Sequence, residues 1–436
     1  MNKLRIGVIV YSENEPTDGG GYSYFNTLLH GINEYNFSPQ IEFVNIIFYH
    51  NQTPKINLKK PTIFIKSGFA DQIKDAVKRN TRKKPNINYT KRNFVVAFLY
   101  KLSIRRRNKN VERLLKEQKI DFVYYLKQQD EILNYPFIAT IWDVSHKSTN
   151  GFPEHNLNNN YEFREKYYLY TLNKAFLILC ESETGANELK NYYSFYPEKI
   201  KVLPLFASNI IKHQVSPELE ISTLKSLDLE KENFFIYPAQ FWPHKNHYNL
   251  ILAFDKLIKE IQNKDLKLVL CGSDKGNFRY IQELIQTLAL TDRIIVPGFV
   301  NNDILLILYR NAVALTMPTF LGPTNIPLIE AAHLNCPVLC SDLTGHKEIL
   351  GDCALYFNPS DSDAIKMTMK QVLDSSTRDK MIASAKLHIT HSPFNLNFSL
   401  QALNKILLDV TPIRKTWGVD YFLNLFLFIN FIFQSI

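Results

Sequence analysis

The stretch FLGPTNIPLIEA, residues 320 to 331, sets Gly322, Pro323, Thr324 and Asn325 directly before an apolar run that holds a single acidic side chain, Glu330. Pro327 suits the first turn of a helix, where its missing N–H leaves no intrahelical bond unmade. Thr324, Asn325 and Ile326 then present backbone amides at the positive end of that helix, a natural seat for phosphate oxygens. Glu330 follows about one turn inside, and its acceptor oxygens suit the two hydroxyls of a ribose. A capped structural helix accounts for the same segment.

Two other stretches carry complementary chemistry. In YPAQFWPHKNHYNLILAF, Lys245 stands just before an amphipathic helix and after a strand and short loop, where an ammonium can neutralise a diphosphate. Asn246 can cap that helix, although a lysine at a helix start is also common on plain surfaces. In TDGGGYSYFNTLL, Gly19, Gly20 and Gly21 allow a ligand to approach the backbone closely, and the helix behind them offers a second amide terminus. The spacing is not the dinucleotide fingerprint, because Ser23 and Asn26 stand where further glycines are needed. A flexible turn explains three glycines as well.

Each of these stretches follows an apolar run and opens a helix. LRIGVIVY, IEFVNIIFY, DFVYYL, FIATIW and AFLILC read as strands in the first half, with helices in GYSYFNTLLHGINEY, VERLLKEQKI, YEFREKYYLYTLNKA and ETGANELKNYY. After KIKVLPLF a polar stretch intervenes, and NFFIYPAQ then restarts the same alternation through LKLVLCG, RIIVPGFV, VALTMPT and CPVLCSD. Near-continuous apolar strands separated by helices predict parallel sheets covered on both faces. The 436 residues are too many for one ordinary core. The expected organisation is an amino-terminal Rossmann-like domain over 1–206, a connection over 207–232, a second Rossmann-like domain over 233–412, and an apolar aromatic segment over 413–436. Ligands of such sheets bind beyond the carboxyl ends of strands, so two facing domains imply a site in the cleft between them.

Taken together these motifs resemble the GT-B fold retaining glycosyltransferases, specifically the large family 4, or glycosyl transferases group 1, with its mannosyltransferase-like members that build bacterial polysaccharides. The resemblance covers nearly the whole chain and is sharpest from Tyr237 to Pro359, in AQFWPHKNH, MPTFLGPTNIPLIEAAHLNCPVLCSD and TGHKEILGDCALYFNP. It implies transfer of a hexose, of mannose or glucose type, from a nucleotide diphosphate sugar to a saccharide or lipid-linked saccharide, without an obligatory metal. It assigns Glu330 to the donor ribose, Lys245 to the leaving diphosphate, and the amides of Thr324, Asn325 and Ile326 to phosphate or sugar. Gly20 and Gly21 approach the donor from the amino-terminal domain, and Gln240 stands beside the diphosphate where many relatives carry arginine. FIATIWDVSHKSTNGFPEH resembles the segment that often sets a histidine against the donor sugar. Trp142 holds that histidine's commonest place, which leaves His146 as the expected substitute and Asp143 to orient it or to bind the acceptor. Gly322 stands where many relatives have a first glutamate. Two other classes share this architecture: nucleotide-sugar epimerases, which need extra acid and base carboxylates, and nucleotide-sugar-binding proteins without transfer activity.

The formal net charge of +9 is local. Between Asp75 and Glu112 no acidic residue occurs, and twelve basic ones from Lys78 to Lys109 give 9 − 12 = −3 for the rest. Such a patch suits an anionic membrane leaflet, and a solvated loop accounts for it equally; nucleic acid is disfavoured because no recognition motif accompanies it. The run from Tyr421 to Ile436 is apolar but shorter than the roughly 20 residues a membrane-spanning helix needs. It suits docking on the body or lying in a membrane interface. The start lacks a signal-peptide cleavage pattern, and five cysteines without framework spacing fit a reducing compartment, so the expected location is cytoplasmic, peripheral on the inner membrane face. Cys336 and Cys340, with His333 and His346 nearby, lie about 13 Å apart if CPVLC is a strand, too far to share a metal ion.

Overall fold

LRIGVIVY and IEFVNIIFY become β1 (Leu4–Tyr11) and β2 (Ile41–Tyr49), parallel and paired in register from Leu4 against Ile41 to Tyr11 against Phe48. The computed structural model describes residues 3–11, 19–49, 53, 56–66, 105–128, 132–149, 151–261 and 265–417. In the amino-terminal sheet these two strands are joined by β3 (Thr62–Lys66), β4 (Phe122–Tyr125), β5 (Phe137–Ile141), β6 (Leu177–Cys180) and β7 (Ile200–Val202). Their order is β3-β2-β1-β4-β5-β6-β7, and every pairing is parallel. β3 comes from PTIFIK, a run that sequence patterning passes over because it is short and only half-buried.

The second sheet holds β8 (Phe234–Pro238), β9 (Lys267–Cys271), β10 (Ile294–Gly298), β11 (Ala314–Met317), β12 (Val338–Ser341) and β13 (Ala354–Phe357). The order is β10-β9-β8-β11-β12-β13, again wholly parallel. In both sheets the order reverses beside the first strand. The segments after β1, β8 and β11 therefore leave the sheets at or next to these switch points, where doubly wound folds bind ligands. The two Rossmann-like layers read from the apolar rhythm are present.

The polar connection is more structured than its composition suggests. Ser216 caps a helix over Pro217–Ser226 by accepting from the Leu219 amide, and Glu220 on that helix accepts from Asn311 of the second domain at 2.9 Å. The boundary expected at 412 falls inside the last described helix, Leu396–Lys415, and that helix returns to the amino-terminal layer. Ser399 donates to the Pro204 carbonyl at 2.6 Å, and Asn404 accepts from the Ser38 amide at 2.9 Å. Leu400, Leu403, Leu407 and Val410 form its buried stripe, and burial of such a stripe is what holds a surface helix in place. A Cβ on Gly31 would come within 3.0 Å of Leu396, so the helix Gly20–Glu34 and the last helix touch almost backbone to side chain. At its end Arg414 pairs with Asp121 at 2.5 Å, and Trp417 packs edge-on against Phe122 and Phe176.

Of the basic run, residues 78–101 lie outside the described residues, as do 418–436 of the apolar tail. Arg105 and Arg106 are exposed at the start of a helix through 105–117. Among the described residues no helix is long and apolar enough to cross a membrane.

Because Asp121 also accepts from the Arg5 amide, removing its cation leaves a mostly buried carboxylate with one bond fewer. Arg414→Ala is expected to lower unfolding stability by about 1–3 kcal/mol in urea titrations; an unchanged midpoint would show that the last helix is held by its apolar stripe alone.

Candidate active site

Lys245 is fixed by its backbone. Its carbonyl accepts from the Tyr237 hydroxyl at 2.9 Å, and its amide donates to Trp242 at 3.1 Å. The next residue, Asn246, adopts a left-handed conformation with φ 58°, which asparagine tolerates better than most side chains. Its amide nitrogen ties the Pro318 and Pro359 carbonyls at 2.8 and 2.7 Å, and its oxygen accepts from the amide of Asn249 in the helix His247–Ile261. The ammonium of Lys245 donates to Asn325 Oδ1 at 3.1 Å and makes no ion pair among the described residues. Burial pulls its pKa down to about 8, against a smaller opposing pull from Asp143.

Asn325 precedes the helix Ile326–His333, with Pro327 in its first turn as the sequence predicts. Besides meeting Lys245, its side chain contacts His346 Nε2 at 3.0 Å, while His346 Nδ1 is held by the Ser341 carbonyl at 2.9 Å. The amides of Thr324, Asn325 and Ile326 donate to no acceptor among the described residues. Three orphan N–H groups at a helix start, one lysine away, make an anion seat. Glu330 lies one turn further, 5% exposed. Its carboxyl accepts from the Ser208 hydroxyl and from the Tyr309 hydroxyl at 3.1 Å, and burial raises its pKa.

The glycines after β1 reach this loop from the other domain. A Cβ on Gly19 would lie 3.0 Å from Gln240, one on Gly20 3.8 Å from Ile326, and one on Gly21 2.9 Å from Trp142. Gly20, Gly21, Gln240, Lys245, Thr324, Asn325, Ile326 and Glu330 thus gather about one cleft. Trp142 borders the same cleft, packing edge-on against Tyr24 with ring centroids 5.8 Å apart.

His146 does not join them. It is fully buried in the amino-terminal domain among Tyr161, Tyr168 and Tyr193, with Nε2 3.0 Å from Glu165 and 2.9 Å from the Tyr193 hydroxyl. Burial pulls its pKa down to about 4, so it is a neutral packing histidine at physiological pH and the expected donor contact fails. The reason is register: the short helix Ser145–Ser148 turns its second residue inward. Asp143 does not orient it either. Asp143 accepts from the Ser145 amide at 2.8 Å and pairs with Arg164 at 2.6 Å. Burial alone would raise its pKa, but the Arg164 and Ser145 contacts hold it well below the usual carboxylate range.

Sequence reasoning missed Glu181, Ser208, Tyr309 and His346 as parts of this site. Glu181 follows β6 immediately and accepts from Thr324 Oγ1 at 2.7 Å across the cleft; being the residue just past the carboxyl end of a parallel strand was the available signal. Two other contacts cross near it. Glu348 accepts from the amides of Glu183 and Thr184 at 2.7 and 2.8 Å, and His244 pairs with Glu154. All five cysteines are free and buried, and among the described residues no cluster of three His, Cys, Asp or Glu side chains could hold a metal ion.

Residues 222–388 match the family model described as glycosyl transferases group 1. O-antigen chain mannosyltransferase B of Escherichia coli is 27% identical over 235 residues, covering 54% of this chain and 61% of that protein. O-antigen chain mannosyltransferase RfbU of Salmonella typhimurium is 32% identical over 143 residues, 33% of this chain and 39% of that one. The chain therefore spans less than two thirds of either relative. Among solved structures, WaaG, a glycosyltransferase involved in lipopolysaccharide biosynthesis, superposes with TM-score 0.64 at 16% identity over 92% of this chain and 99% of that one. Anabaena Alr3699/HepE in complex with UDP and glucose gives 0.63 at 14% identity, over 93% and 100%. These likenesses establish the GT-B fold.

Since His146 is sealed away from the cleft, His146→Ala is expected to cost about 2–4 kcal/mol of stability by leaving a cavity among Tyr161, Tyr168 and Tyr193. Ligand affinity at the cleft, measured on the folded variant, should stay within about twofold, as for well-separated sites; a selective loss of affinity would return His146 to the site.

Proposed function

The chain carries a glycosyl transferases group 1 domain over residues 222–388, and from that premise we propose that it transfers a hexose from a nucleotide diphosphate sugar to a saccharide or lipid-linked saccharide in bacterial surface polysaccharide synthesis. The observation that carries this reading is Lys245, a half-buried ammonium without an ion-pair partner among the described residues, beside three uncommitted amides. Positive charge fixed where a diphosphate departs stabilises the transition state more than the ground state. Glu330 takes the ribose hydroxyls on the lone pairs that Ser208 and Tyr309 leave open, since a carboxylate has about four acceptor positions. The leaving phosphate accepts the acceptor's proton on the face it departs from, so the anomeric configuration is retained and no pair of reacting carboxylates is needed. Lys245 and the helix amides supply the positive charge, so transfer should survive chelation of divalent metals. The mannosyltransferase relatives favour mannose as the sugar.

A second reading is a GT-B epimerase, favoured by two carboxyl groups on the amino-terminal side. Asp143 is close enough to act on both Lys245 and Glu181. Incubation with UDP- and GDP-hexoses separates the two, because transfer yields free diphosphate and an extended acceptor, whereas epimerisation returns an isomerised donor.

We place the acceptor at an anionic membrane surface that the basic run engages. Flotation with phosphatidylglycerol vesicles at low salt should carry the protein, and replacing Arg105, Arg106 and Arg107 with glutamine should weaken this; protein left at the bottom of the gradient would sink this part of the reading.

Lys245→Met is expected to reduce transfer by about 100-fold, as loss of a transition-state donor does elsewhere. Diphosphate binding to the native protein should be strongest below pH 8, where Lys245 is charged. It should then fall by up to about tenfold per pH unit above it, as the free ammonium loses its proton. A flat profile from pH 7 to 10 in calorimetric titrations would remove Lys245 from the diphosphate.

A further inference from the structure

The loop that carries the anion seat has no room for a side chain at its apex. Gly322 has φ 113°, and a Cβ there would meet Asn325 Nδ2 and the Thr324 carbonyl, each at 2.8 Å. Any carboxyl that reads the hydroxyls of a sugar beside this loop must therefore come from elsewhere.

Glu181 stands in that place. Alternation along β5 puts Ile138 and Thr140 on one face, and alternation along β6 puts Leu177, Leu179 and Glu181 on the same face, with Thr140 opposite Leu179 in the register. Tyr124 of β4 is paired with Ile138 and belongs to the same layer, under Tyr24 of the helix Gly20–Glu34. Three side chains of this layer are buried and bring their hydroxyls together: Tyr24 and Thr140, each 2% exposed, and Tyr124, which is fully covered, with Thr140 within reach of both tyrosines and Glu181 close enough to act on them. A hydroxyl both donates and accepts, so this cluster keeps the layer polar beside Glu181. Glu181 forms the cleft-side end of this group. Thr324 Oγ1 donates to its Oε2 at 2.7 Å, while its Oε1 takes no bond from any described residue. Thr324 itself adjoins Asn325, which holds Lys245, so the chain of contacts runs from diphosphate seat to Glu181 in three residues.

We propose that Glu181 is the specificity-determining residue for the donor sugar: its carboxyl, contributed by the domain opposite the phosphate loop, receives the hexose hydroxyls, with Tyr24, Tyr124 and Thr140 as the polar floor behind it. This rests on the donor site proposed above. Burial pushes the Glu181 carboxyl up to about 8, so at neutral pH it is largely protonated and can both donate to and accept from a hydroxyl. The class of sugar that suits it is a neutral hexose with adjacent free hydroxyls. A sugar that carries its own carboxylate would bring a second negative charge toward the Asp143 carboxylate, and like charges repel.

The test is calorimetric titration of the full chain with UDP, GDP, UDP-glucose and GDP-mannose. Glu181→Ala should weaken the tighter of the two sugar nucleotides by about tenfold more than its parent diphosphate, the size expected for lost hydrogen bonds to a sugar. Glu181→Gln, which keeps a donor and an acceptor in the same shape, should restore binding to within about threefold. Glu348→Ala severs a different tie between the layers, away from the anion seat, so it should retain the sugar's increment of affinity. Equal weakening of diphosphate and sugar nucleotide in Glu181→Ala, matched by Glu348→Ala, would overturn the proposal and make Glu181 a domain tie. Unchanged sugar affinity in Glu181→Ala would overturn it too. Native protein that binds neither diphosphate would instead overturn the donor site on which the proposal rests, before any variant is compared.

Discussion

A methyl group on Gly345 would lie 1.7 Å from the carbonyl oxygen of Pro323, closer than any two such atoms can approach. The helix Thr344–Leu350 therefore presses its first turn directly onto the 321–325 loop, and the loop takes its shape from that contact. With Pro323 set against Gly345, Gly322 must turn through positive φ, and Asn325 is left between His346 and Lys245. His346 reaches Asn325 only because Ser341, at the end of β12, fixes its other ring nitrogen. The anion seat is thus built from the inside outward: strand end, histidine, asparagine, lysine. A side chain at 345 would disturb every later member of that series without touching a ligand.

The same rigidity explains how two sheets that share no strand meet with defined geometry. Three carboxyl groups cross between the layers, each to a different kind of donor: Glu154 to His244, Glu181 to Thr324, and Glu348 to the amides that open the helix Glu183–Tyr192. Glu348 supplies the negative charge that a helix start favours, and does so from the opposite domain. Such polar contacts exchange with water at small net cost, unlike a buried apolar seam. The last helix adds a covalent return path, because it carries the chain from the second layer back onto Asp121 and Phe122 of the first.

Much of this could be read from residue types, and the parts that could not have physical causes. Strands β1, β2, β8 and β9 announced themselves because both faces are covered, which leaves runs with little polar interruption. Lys245, Asn325 and Glu330 were legible because loop, cap and helix chemistry is local. What failed depended on side-chain direction within a single turn: His146 and Asp143 are three residues apart, yet one is sealed among tyrosines and the other acts on the cleft. Glu181 was hidden for a different reason. Its meaning depends on Thr324, 143 positions later, and no local pattern encodes a hydrogen bond between domains. Ser208 was passed over in the same way, in a polar connection where serines are ordinary, although it donates to Glu330 122 residues on.

The scarcity of carboxylates in FLGPTNIPLIEA follows from what the loop must hold. An aspartate or glutamate at 322 would strain the positive-φ backbone, and its charge would sit near the ammonium of Lys245. An ion pair there would offset the positive charge on which the proposed diphosphate seat relies. Glu330 escapes this because it lies a turn inside the helix, where Ser208 and Tyr309 engage it and burial raises its pKa. Asp143, whose charge does act on Lys245, is itself compensated by Arg164. Acids therefore surround the seat at every point where they are neutral, paired or one layer removed, and the position beside the lysine is left to an asparagine.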